Sequence, residues 1–234
     1  MTKIALITGA SQGIGSAITA ILNKNNIKVI LVSRSKKKLQ DFQKNLKNKK
    51  NSFIIAKDLR TLSACREVKK KVKKINYLIN VAGATKGGEF LKLPDNFWND
   101  GFDLKFKAAV RLTREFWPLL KKNRGKVINI GGGAARNPSH TFMIGGAVNS
   151  ALNNFSKALA IQGKIDKVAV SIIHPGMTLT SRLQGLLNTE SRIQRKSVKD
   201  ILRKKCKGDG IKRPNYPAEI GELVYKLIKD RKSN

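Results

Sequence analysis

The chain of 234 residues carries 48 Lys plus Arg against 15 Asp plus Glu, a formal charge of +33, with 41% hydrophobic and 27% charged residues. That length suits a single domain over residues 1–234, and the hydrophobic share excludes a disordered chain. The charge far exceeds what solubility requires and predicts an anionic partner.

Other classes fall away. Cys65 and Cys206 stand far apart, without a CxxC or Cys/His spacing, so neither a disulfide framework nor a metal site is expected. No apolar run is long enough for a membrane span. A first strand beginning near Lys3 leaves no signal or transit segment, so the expected compartment is the cytoplasm or a mitochondrial matrix.

Short apolar runs recur along the chain at residues 4–7, 29–32, 53–56, 77–81, 127–130 and 168–173, and predict six buried strands. Between them Ala17, Ile18, Ile21 and Leu22, then Leu39, Phe42 and Leu46, then Val68, Val72 and Ile75 repeat at helical spacing. Apolar strands joined by helical crossovers predict an α/β fold, a doubly wound parallel sheet covered on both faces. Basic residues gather in blocks at 36–50, 66–74, 121–126 and 192–213; the first three also suit solvated helix faces.

Directly after the first strand stands Thr8-Gly9-Ala10-Ser11-Gln12-Gly13-Ile14-Gly15, followed by an apolar helix. Glycines there let backbone approach a pyrophosphate, and the helix amino end offers free N–H groups. The string resembles the turn of the short-chain dehydrogenase/reductase family, whose Rossmann-like fold it implies. Further motifs follow in the family's order. Asp58-Leu59 matches its adenine-contacting pair, Asn80-Val81-Ala82-Gly83 its N-x-A-G segment, and Pro175-Gly176-Met177-Thr178-Leu179-Thr180 its P-G-x-x-x-T, which holds the nicotinamide amide and a phosphate. After strand two, where an acid would bind a ribose 2′-OH, stand Ser33 and Arg34. A hydroxyl and a guanidinium favour a 2′-phosphate, hence NADP(H) over NAD(H).

The resemblance implies hydride transfer between nicotinamide and a carbonyl or alcohol, with a Tyr as proton carrier supported by Lys, Ser and Asn. Anchoring on Phe155-Ser156-Lys157-Ala158-Leu159-Ala160, which matches the end of the family's active-site helix, and counting back puts Asn149 at the Lys position, Gly145 at the Tyr and Gly132 at the Ser. The stretch 98–114 resembles the family's Asn-bearing helix, with Lys105 at the Asn. The tyrosines are Tyr77, Tyr216 and Tyr225, so no local shift restores one. Ser139, Thr141, His140, His174 and Lys105 are the remaining polar candidates, each with a plainer reading as loop, strand end or basic surface.

Relatives place a substrate lid over residues 181–213. Here that segment carries Arg182, Arg192, Arg195, Lys196, Lys199, Arg203, Lys204, Lys205, Lys207, Lys212 and Arg213 against Glu190, Asp200 and Asp209, which argues against a hydrophobic lid and for a helix facing phosphates. The family's seventh strand, part of its usual homotetramer contacts, is expected to be missing, so that assembly is not carried over. The sequence thus predicts a catalytically degenerate NADP(H)-binding relative whose basic surface docks RNA or a ribonucleoprotein assembly. Two alternatives stay open: an active NADP-dependent carbonyl or 3-oxoacyl reductase with unconventional acids, or an inactive partner subunit of an active relative.

Overall fold

The computed structural model describes residues 2–230. Residues 1 and 231–234 of the expected domain lie outside it. A single parallel sheet is built from β1 (Ile4–Thr8), β2 (Lys28–Ser33), β3 (Ser52–Ala56), β4 (Tyr77–Asn80), β5 (Lys126–Ile130) and β6 (Ala169–Ile173), in the order β3-β2-β1-β4-β5-β6. The six expected strands are all present, and the Rossmann-like α/β class stands. Among the described residues β6 is one sheet edge, and four of its five residues are half-buried.

Helices α1 (Gly13–Lys24), α2 (Lys36–Lys44), α3 (Leu62–Lys71), α4 (Asp95–Gly101), α5 (Ala108–Lys122), α6 (Met143–Asp166), α7 (Ser181–Gln194), α8 (Val198–Gly208) and α9 (Pro217–Lys229) complete the chain. Strand residues alternate between two cores because successive side chains leave opposite faces of a pleat. Leu6, Val32, Leu78 and Val127 face Val68 of α3 and Leu112 and Phe116 of α5. Ala5, Ile7, Leu31, Ile79 and Ile128 face Ile18 and Leu22 of α1 and Val224 and Ile228 of α9. Gly221 lets α9 lie close on α1: a Cβ there would stand 2.5 Å from Ile21.

Two sequence expectations need correction. Leu46, Val72 and Ile75 do not extend the helical faces, since α2 closes at Lys44 and α3 at Lys71. They are buried all the same, as the first apolar residues of the returning connections. Residues 102–107 also depart from a plain α-helix: Phe102–Lys107 is a π-helical turn between α4 and α5. Such turns are rare and collect at functional sites. No helix of the described residues is long and apolar enough to cross a membrane.

Candidate functional site

Strand order reverses direction between β1 and β4, and in open α/β sheets that switch point opens a crevice at the carboxyl ends of the strands. A cleft of about 620 Å³ lies there. Its first wall is the turn into α1. Gly9 has φ +66°, and a Cβ on it would press within 3.1 Å of the Ala82 backbone. At Gly15 a Cβ would stand 2.2 Å from the Gly9 carbonyl oxygen, so only glycine lets α1 start this close to β1. Thr8 fixes the opposite wall: its Oγ1 accepts from Val81 N at 3.0 Å and Ala82 N at 2.9 Å. The last wall is residues 175–180. Leu179 N donates to Asn215 O at 2.9 Å and Asn215 N to Met177 O at 2.7 Å, and Thr180 Oγ1 caps α7 by accepting from Leu183 N at 3.2 Å.

Most of the expected dinucleotide contacts line this cleft: Gly9, Ser11, Gln12, Gly13, Ile14, Gly15, Ser33, Arg34, Leu59, Ala82, Gly83, Pro175, Gly176, Thr178 and Thr180. Asp58 and Asn80 do not. Asp58 sits at the rim, where its carboxylate meets Arg60 at 2.8 Å and Arg34 at 3.9 Å. Asn80 is buried behind the wall, donating to Asn129 Oδ1 at 2.9 Å and Thr113 Oγ1 at 3.3 Å. Asn129 in turn donates to Ser156 Oγ at 2.8 Å, so the Asn80 side chain ties β4 and β5 to α6. Two cleft-lining groups fit a phosphorylated nucleotide. Ser33 Oγ is buried with no hydrogen-bond partner, and Lys38 lines the same cleft. A buried hydroxyl without a partner is costly unless a ligand completes it.

At the inner end three of the four replaced positions, Gly132, Gly145 and Asn149, are in contact through Asn149, and Lys105 stands apart from them against Gly83. The stem of Lys105 occupies the space next to Gly83, where a Cβ would lie 2.8 Å from Lys105 Cδ, and its Nζ donates to Ile130 O at 2.8 Å. Burial, then the Arg182 charge, pulls the ammonium down to about 7. At Gly145 the place a side chain would take is filled by a ring of the cleft lining: a Cβ would stand 1.9 Å from the Phe142 ring. Asn149 donates to Gly145 O at 2.7 Å and packs against Gly132, where a Cβ would stand 3.0 Å from its amide nitrogen. Its Oδ1 is buried and unpartnered, an acceptor suited to a ligand hydroxyl.

A model of the short chain dehydrogenase family matches residues 3–191. The chain belongs to that family. It is similar to an uncharacterized oxidoreductase, YvaG, of Bacillus subtilis, with 30% identity over 191 residues that span 80% of this chain and 72% of the relative. It is also similar to the 3-oxoacyl-[acyl-carrier-protein] reductase FabG of Escherichia coli, with 30% identity over 192 residues, 79% of this chain and 77% of the relative. Among solved structures, the L-sorbose reductase of Gluconobacter frateurii, complexed with NADPH and L-sorbose, superposes with a TM-score of 0.89 at 28% identity, covering 99% of this chain and 91% of that one.

The remaining polar candidates fall into ordinary places for the family's fold. His140 is exposed. His174 bonds Gly132 O at 3.2 Å and Asn153 Oδ1 at 3.0 Å, and burial lowers its pKa. Ser139 and Thr141 line the cleft and bond each other at 3.0 Å.

The basic segment 181–213 is two-faced, which corrects the expectation that it could not be a hydrophobic lid. Leu183, Leu186 and Leu187 recur at helical spacing on α7 and face the cleft. The charge count hid them. Three of the segment's cations are also engaged: Lys205 with Glu190 at 2.9 Å, Arg213 with Glu219 at 3.0 Å, and Arg182 inside the cleft. Arg192, Arg195, Lys196, Lys199, Arg203, Lys204, Lys207 and Lys212 are exposed.

Proposed function

We propose that the protein binds NADP(H) in this cleft and has given up the tyrosine-dependent hydride transfer of its family, its function resting on binding. The observation that carries this reading is the Phe142 ring seated where a side chain at position 145 would stand. Hydride delivered to a carbonyl leaves an alkoxide that needs a proton, and a positioned acid contributes typically about 10²- to 10⁴-fold. Here that acid is replaced by a hydrocarbon. The unpartnered Ser33 hydroxyl, with Arg34 and Lys38 on the same lining, supports the 2′-phosphorylated cofactor. The exposed cations on α8 and its flanking loops support docking of RNA, in which the protein meets phosphates rather than bases.

One observation favours a second reading. Lys105 lines the cleft with its pKa near 7, so its ammonium is a proton source at neutral pH for a slow reductase. A single set of measurements separates the two. NADPH fluorescence titration is expected to give saturable binding, and NADPH oxidation with simple ketones to give no turnover above the uncatalysed rate. Turnover abolished by Lys105→Met would replace the first reading with the second. For the RNA arm, affinity is expected to fall steeply with salt, and Lys199→Glu or Arg203→Glu to lower the slope by about 1 each. Salt-insensitive or absent RNA binding removes that arm.

A further inference from the structure

We propose that the inner end of the cleft is a receptor for a small oxyanion, a carboxylate or a phosphate, held between the Lys105 ammonium and the Arg182 guanidinium. The inference goes beyond dinucleotide binding and does not require it. Both cations converge on one glycine from opposite walls. Lys105 comes from the π-helical turn and packs its stem on Gly83. Arg182 comes from the first turn of α7 and donates to Gly83 O at 3.2 Å, to Thr85 O at 3.4 Å and to Thr85 Oγ1 at 2.7 Å. Its guanidinium lies 5.9 Å from the centre of the Phe142 ring.

Every acceptor these two groups have found is a neutral carbonyl or hydroxyl. Among the described residues neither one forms an ion pair with a carboxylate, and burial disfavours the charge of both. Of the two acids on the lining, Glu190 is already bound to Lys205, and Asp209 is exposed at the end of α8. Two like charges drawn out of water beside each other are a poor arrangement unless something of opposite sign joins them. Donors remain for it: an ammonium has three N–H groups and Lys105 uses one, and of the five N–H groups of Arg182 three go to Gly83 and Thr85, leaving two. Leu104, Phe142, Leu183 and Leu186 line the same cleft, which suits a ligand with an apolar body.

The same chemistry can come from a free acid or from the diphosphate of a bound dinucleotide, and sulfate reports on both because it keeps its charge across neutral pH. Calorimetric titration at constant ionic strength is expected to show one saturable site. The groups facing Lys105 are Arg182 from α7 and His174 beyond β6, while on its own turn Asp103 is taken by Lys107 at 3.1 Å. Burial lowers the His174 pKa below its ordinary value, and the pH response is assigned to Lys105 because it is expected to persist in His174→Asn. Between about pH 6 and about pH 8.5 sulfate affinity is expected to fall about 30-fold as the ammonium loses its proton.

Lys105→Met and Arg182→Leu are each expected to abolish the site, Arg182→Lys to weaken it, and Lys24→Met, remote on α1, to leave it intact. Repeating the titration with saturating NADP+ assigns the source: undiminished binding points to a free acid beside the cofactor, mutual exclusion to the cofactor's own phosphates. Absence of saturable binding, equal affinity at both pH values, or affinity unchanged in Lys105→Met and Arg182→Leu would overturn the proposal and leave only adsorption to a highly charged surface. NADPH titration of the same samples reports separately on the dinucleotide reading.

Discussion

Glycines line both ends of the cleft, yet they are there for different reasons. At the nucleotide end Gly9 and Gly15 touch backbone: one has a positive φ against Ala82, and the other approaches the Gly9 carbonyl. Neither neighbour gives way easily, because the atoms a Cβ would strike belong to the main chain of the turn after β1 and of the loop after β4. At the inner end the glycines touch side chains. Gly145 meets the Phe142 ring and Gly132 meets the Asn149 amide. Those contacts are adjustable in sequence, so the end packed on backbone is the more tightly constrained of the two.

The largest test of that difference is to put the proton carrier back. Gly145→Tyr alone is expected to gain no activity and to lose about 1–3 kcal/mol of stability, since the new side chain must displace Phe142 from a packed position. Combining it with Phe142→Ala, Gly132→Ser, Asn149→Lys and Lys105→Asn clears the space and supplies the supporting groups. NADPH oxidation with a ketone substrate is then expected to rise by about 10²- to 10⁴-fold over the unaltered protein. Activity from Gly145→Tyr by itself would show that the two ends are not separately built.

A smaller test acts on the nucleotide end. Ser33 Oγ is buried without a partner, and Arg34 lies 3.9 Å from Asp58 across the rim. Charge-assisted hydrogen bonds are worth roughly 1.5–3 kcal/mol, so Arg34→Asp is expected to move the NADPH-over-NADH preference by about ten- to a hundredfold toward NADH. Ser33→Ala should weaken NADPH by a few-fold with little effect on NADH. Paired fluorescence titrations read both, and an unchanged preference in Arg34→Asp would remove the 2′-phosphate assignment.

Strand content was legible because each strand is a continuous apolar run, the form a sheet buried on both faces demands; residues 4–7 and 127–130 fall within β1 and β5. The glycine turn was legible for the same local reason. Side-chain direction was not. Asn80 belongs to a recognisable string, but Asn129 and Thr113, which take its amide, come from β5 and α5 and meet it only in three dimensions. Phe142 was invisible as a functional residue because nothing in one sequence says that a ring three positions earlier fills the place of a missing side chain. The apolar face of α7 was present in the spacing of Leu183, Leu186 and Leu187, and a count of charges alone passed over it.

The smallest expected effect concerns the cost of the inner end. Lys105 has a folded pKa near 7 against an ordinary lysine value of 10.5, with burial as the leading cause. Between those values the unfolded chain binds more protons than the folded one, so stability rises with pH across that window. Below about 7 the ammonium is present in both states and the penalty is complete. Lys105→Met removes the titrating group at similar length. Urea unfolding at about pH 6 should therefore find the variant more stable than the parent, by about 1–2 kcal/mol after allowing for water in the cleft, and the gap should narrow by about pH 9. The difference between the two proteins cancels every other titrating group. A parent more stable than the variant at the lower pH would mean that the fold itself supplies a counter-charge, and the inner end would then be a closed structural ion pair rather than a wall awaiting a ligand.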